Sequence, residues 1–141
     1  MRYIIIVKAS ADSEAGVMPT EPLLAAMAGY HEALARAGVL LDATGLKASS
    51  YGWRVRCESG DRRRVIDGPF SETRELIAGY TLIQVRSREE ALEWSRRFPN
   101  PTAGGGSCEI EVRQLFELDD FQPGDAVDRF RALDPSPPGD H

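Results

Sequence analysis

The segment Arg2 to Lys8, RYIIIVK, constrains the fold more than any other stretch of the chain. Successive side chains of a strand point to opposite faces, so Tyr3, Ile5 and Val7 share one face and Ile4 and Ile6 the other. A strand that is apolar on both faces has to be covered on both. At 141 residues the chain has room for about one domain and few layers to spare. One face of the sheet is therefore expected to meet the chain's own helices, and the other to meet a second subunit.

The remaining elements follow from periodicity and punctuation. After a loop rich in small and acidic residues, Thr20 is a suitable N-cap, with Glu21 and Pro22 suited to a first helical turn. The helix runs to about Ala37 and stops at Gly38. At ~100° per residue, Leu23, Met27, Tyr30 and Leu34 form one stripe, and His31 falls at its edge. VLLDATGL reads as a short strand. YGWRVRCES and RRRVID alternate about a Ser59-Gly60 turn, as a hairpin does. Asp67-Gly68-Pro69-Phe70 is turn chemistry. Ala78 to Arg86 is a strand, and Ser87 with Glu90 forms a capping box for a second helix that Pro99 and Pro101 end. Cys108 to Phe116 alternates again as the last strand. Beyond Leu118 one short helix is expected within Phe121 to Leu133, and disorder from Asp134 to His141. Residues 1–121 thus read as one α+β domain of the split βαβ plan with an inserted β-hairpin. Residues 122–141 read as a partly disordered extension.

Composition removes several functions. The formal charge of −5 argues against non-specific nucleic-acid binding, which needs a basic surface. No apolar run is long enough to span a membrane, and the N-terminus lacks the pattern of a signal peptide, so a cytoplasmic location is expected. Cys57 and Cys108 lie far apart among alternating residues and read as reduced core positions. His31 and His141 are the only histidines, and no ligand spacing surrounds them, so no metal is expected. Gly104-Gly105-Gly106 precedes a strand rather than a helix, so it is not a phosphate cradle, and no organic cofactor is expected. Arg62-Arg63-Arg64 reads as a solvated hairpin that discourages edge pairing.

Acid–base chemistry is what the remaining residues allow. His31 is the one internal side chain that normally titrates near neutrality. Asp67 stands at a tight turn where a carboxylate is held rigidly and can orient an imidazole. Lys8, Asp12, Arg54, Glu72, Arg74 and Glu75 are candidates to line the same region, with Lys8, Arg54 and Arg74 as binders of an anionic substrate. The alternative for Asp67 is local, since Asp-Gly pairs are common in turns for backbone reasons alone.

DGPFSETRELIAGY, Asp67 to Tyr80, resembles the DGPF motif of the YCII-related protein family. VKASADSEAGVMP, AGVLLDATGL, EEALEWSRRFPNP and EIEVRQLFE are similar to that family in the same order, so the resemblance runs from Met1 to about Phe121. It implies a ferredoxin-like subunit that forms a dimeric α+β barrel, and an acid–base pair made by a His on the first helix and an Asp. His31 falls at the position of that His, and Asp67 is assigned as its partner. Some DGPF proteins are encoded beside extracytoplasmic-function sigma factors. Three functions are therefore open: a cofactor-independent isomerase or lyase, a ligand-binding or regulatory module that includes a sigma factor among its partners, and an interaction domain with a vestigial cleft. No direct nucleic-acid contact is expected in any of them.

Overall fold

The computed structural model describes residues 1–102 and 105–133, so the disorder expected from residue 134 onward concerns positions outside the described residues. The chain runs β1 (Arg2–Lys8), α1 (Ala11–Glu14), α2 (Glu21–Arg36), β2 (Leu40–Gly45), β3 (Trp53–Cys57), β4 (Arg63–Asp67), β5 (Ile77–Gln84), α3 (Arg88–Arg96), β6 (Ile110–Gln114) and α4 (Asp125–Ala132). No helix among the described residues is long and apolar enough to cross a membrane.

The helix boundaries have local causes. Thr20 Oγ1 accepts from Leu23 N and caps α2, and Gly38 takes φ +74° just beyond its end, a conformation that suits a residue without Cβ. Ser87 caps α3 by accepting from Glu90 N. The segment after β1 was expected to be a plain loop. It holds the single turn α1 instead, because Ser10 and Ser13 exchange side-chain and backbone hydrogen bonds in a capping box.

β2, β5, β1 and β6 form an antiparallel sheet in that order, while β3 and β4 form a separate two-stranded hairpin. β5 lies between β2 and β1 and is antiparallel to both, so α2 links two parallel strands across a third. The same relation holds for α3, which links β5 to β6 with β1 between them. This is a mixed α+β architecture with the hairpin inserted between β2 and β5.

α2 and α3 pack on one face of the sheet. Tyr3 and Ile5 of β1 and Ile83 of β5 meet Tyr30 and Leu34 of α2 and Ala91 and Trp94 of α3. Ile5, Leu34 and Ile83 are fully buried, each contributing about 1.5–3 kcal/mol by leaving water. Tyr30 packs edge-on against Trp94 and Phe98, at centroid separations of 6.1 and 5.0 Å, and its hydroxyl donates to the Trp94 carbonyl at 2.8 Å. This core lies on that face alone. On the opposite face Ile4, Ile6 and Leu82 remain half-buried beside Asp42, Glu111 and Arg113. Cys57 and Cys108 are both free and exposed, which corrects the expectation of core thiols. Alternation placed them on strands, but β3 is open to solvent on both faces and Cys108 lies outside β6.

Candidate functional site

An open cleft of about 1950 Å³ runs along α2, the β2–β5 side of the sheet and the segment that follows α3. Its walls are largely apolar, with Leu23, Leu24 and Met27 on α2 and Leu41 and Ala43 on β2. His31 enters it from α2 and Thr81 from β5.

His31 is held at both ring nitrogens. Nδ1 lies 2.7 Å from the carbonyl oxygen of Met27, one helical turn earlier. A carbonyl only accepts, so Nδ1 carries the proton. Nε2 lies 2.8 Å from the Thr81 hydroxyl, which donates to its lone pair when the ring carries the Nδ1 proton alone. Thr81 is the one buried polar side chain among the described residues, at 2 % exposure, and this bond satisfies it. The edges of Tyr30 and Phe98 lie against the imidazole at 5.3 and 6.2 Å and fix its plane.

The other expected site residues divide between two places. Lys8 and Arg74 line the cleft. Lys8 Nζ is 3.5 Å from Glu111 Oε1. Arg74 belongs to the helical turn Thr73–Glu75 that leads into β5. Arg54 and Asp67 lie on the hairpin, and neither lines the cleft. Arg54 stacks on Phe70, 3.8 Å from the ring centroid. Asp67 pairs across the hairpin with Trp53. The His31 ring is thus engaged by Met27 and Thr81, and the expected contact with Asp67 is not formed. The carboxylates that do line the cleft include Asp12 and Asp42. Asp42 Oδ2 accepts from the Tyr80 hydroxyl at 3.0 Å, and this bond, together with the carboxylate's charge, raises the phenol's pKa above its usual value.

Thr81 was missed by reading for catalytic residue types, yet the sequence carried a signal. Gly79, Thr81 and Ile83 share the helix-facing side of β5, so Thr81 is a hydroxyl on an otherwise apolar row. Asp67 misled because its turn is built for another purpose. Gly68 N donates to Gly52 O, Phe70 N donates to Ser49 Oγ, and the Ser49 hydroxyl and amide both donate to the Glu14 carboxylate. The Asp67–Phe70 segment, with a cis Gly68–Pro69 bond, therefore ties the base of the hairpin to the turn Ser49–Tyr51 and to α1.

Residues 1–117 match the YCII-related domain, and the chain belongs to that family. It is also 40 % identical over 53 residues to an uncharacterized protein of Rhizobium meliloti (strain 1021). That match spans 38 % of this chain and 43 % of the relative, so the chain covers less than half of that relative's length.

Proposed function

We propose that the chain binds a small organic molecule in the cleft and that His31 moves a proton on it, in an isomerisation or elimination. The observation that carries this reading is the fixed imidazole: Nδ1–H is held by Met27 O, and the Nε2 lone pair is directed at a hydroxyl on the cleft wall. A base oriented by a third group is the arrangement general acid–base catalysis requires. Rotation of the Thr81 side chain about its Cα–Cβ bond moves Oγ1 off Nε2, which then takes a proton from a substrate carbon or oxygen, leaving the electron pair on the substrate. The resulting imidazolium keeps its Nδ1 bond and returns the proton at a second position. Apolar walls with Arg74 at the cleft suit a compound with an apolar body and one anionic group.

The strand order and crossovers support a ferredoxin-like subunit, and the half-buried apolar row Ile4, Ile6 and Leu82 on the opposite sheet face supports a homodimer of the α+β barrel type. A second reading, a cytoplasmic ligand-binding module that regulates a partner such as a sigma factor, is favoured by the fact that both His31 nitrogens are already satisfied within the protein.

Solvent exchange separates the two readings. A panel of amphipathic carboxylates is first screened for saturable binding, and each bound compound is then incubated in D2O. Under the enzymatic reading, deuterium enters a carbon-bound position with the wild-type protein, and His31→Gln binds the compound but abolishes incorporation. Binding without incorporation in the wild type leaves the regulatory module, and incorporation that survives His31→Gln removes His31 as the base.

A further inference from the structure

The hairpin carries a second surface, and no residue of β3 or β4 lines the cleft. The β3–β4 register places Arg56 directly opposite Arg64 and Arg54 opposite Ile66. Glu58 and Arg62 continue the pairing, since Glu58 N donates to Arg62 O. By alternation, Arg54, Arg56, Arg62 and Arg64 share one face with a single acid, Glu58, whereas Trp53, Val55 and Val65 occupy the other. Among the described residues none of these four guanidinium groups forms an ion pair with a carboxylate. Arg56 and Arg64 are opposed like charges, which weakens the pairing of a hairpin that is exposed along nearly its whole length. Arg54 is restrained by its stack on Phe70, so part of the cationic face is already ordered.

Because the hairpin sheet has two strands, β3 also presents, among the described residues, an edge that no further strand pairs. We propose that this edge accepts an acidic, extended segment of a partner protein as a third strand. The added backbone pairs with β3, and alternate Asp or Glu side chains meet Arg54 and Arg56. The spacing fits, because alternate residues repeat at about 6.6 Å on both strands. Guanidinium forks match carboxylates in bidentate geometry. A second copy of this chain does not suit the edge, since β3 beside β3 brings arginines against arginines. Edge protection explains one or two charges on such a strand. Four arginines with one acid, in a chain whose overall charge is −5, go beyond it.

The test uses the full chain and a short peptide of alternating Glu and Val, with the Lys-Val peptide as control. Saturable binding of the Glu peptide is expected, with amide shift changes confined to β3 and its neighbours, and it weakens as salt is raised. Arg56→Gln with Arg64→Gln lowers the affinity at least about tenfold while the melting temperature of the core stays unchanged. A backbone N-methylated Glu-Val peptide loses binding, because it cannot form the strand ladder. The proposal is overturned by absence of binding or by equal affinity for the double variant. It is also overturned by equal affinity for the N-methylated peptide, or by inorganic polyphosphate displacing the peptide at equal charge, either of which marks a plain anion patch.

Discussion

A Cβ placed on Gly68 would stand 1.9 Å from the carbonyl oxygen of Ser49 and 2.7 Å from its carbonyl carbon. Gly68 is therefore required by contact with another backbone rather than by its own turn. Backbone atoms cannot swing aside as a side-chain tip does. Gly68→Ala is expected to cost about 2–4 kcal/mol, or to detach the hairpin from the turn Ser49–Tyr51. Chemical denaturation measures the cost. Hydrogen exchange separates the outcomes, since detachment exposes the Phe70 amide, which donates to Ser49 Oγ, while the four-stranded sheet stays protected.

Ser49 links three segments, donating to Glu14 and accepting from Phe70 N at 3.0 Å. Ser49→Ala leaves a carboxylate and an amide without that partner. It is expected to cost about 1–3 kcal/mol. A double-mutant cycle with Glu14→Gln should show a coupling of about 1 kcal/mol or more. Simple additivity of the two substitutions would mean that the bridge contributes nothing.

Thr81→Val keeps the shape of the side chain and removes the donor to His31 Nε2. The ring ¹⁵N resonances of His31 should move markedly, and stability should fall by about 1–2 kcal/mol. Asp67→Asn should leave those resonances in place, since Asp67 does not line the cleft. A His31 spectrum that responds to Asp67→Asn and ignores Thr81→Val would reverse the assignment.

Tyr30 couples the core to high pH. Burial pushes its phenol up to about 12, partly opposed by the positive charge of Arg97. The folded-state value is raised, so the unfolded chain gives up this proton first, near the ordinary value of about 10. The contribution is fully present below pH ~10 and is lost as pH rises toward ~12, of order 1–2 kcal/mol after allowance for solvent screening. Tyr30→Phe should lower stability at neutral pH through loss of the bond to Trp94 O, and should flatten the decline between pH ~10 and ~12. An identical decline in both proteins would assign it to other groups.

Much of the fold was readable from residue patterns. RYIIIVK marked a central strand, Thr20, Gly38 and Ser87 marked helix ends, and Ser59-Gly60 marked the hairpin. Each is a local decision, settled by backbone sterics, by caps within a few residues, or by which face of a strand is apolar. Local patterning also put His31 at the border of the helical stripe, where it stands beside the cleft.

Long-range pairing was beyond such reading. Thr81 lies 50 residues from His31 in sequence, and nothing local couples a helix position to a strand hydroxyl. Asp67 had the right chemistry for a catalytic partner and the wrong place, because its turn is anchored to Ser49 and belongs to the hairpin. The exposure of Cys57 followed from the same cause, since alternation fixes which side chains share a face but not whether anything covers that face. Residue patterns place most strands and helices to within a few residues and show which side of each is apolar, because those are properties of consecutive residues; the single turn α1 and the exact strand ends escape them. Which side chain meets His31 is settled in the folded chain alone, because it depends on the order in which distant strands are laid side by side.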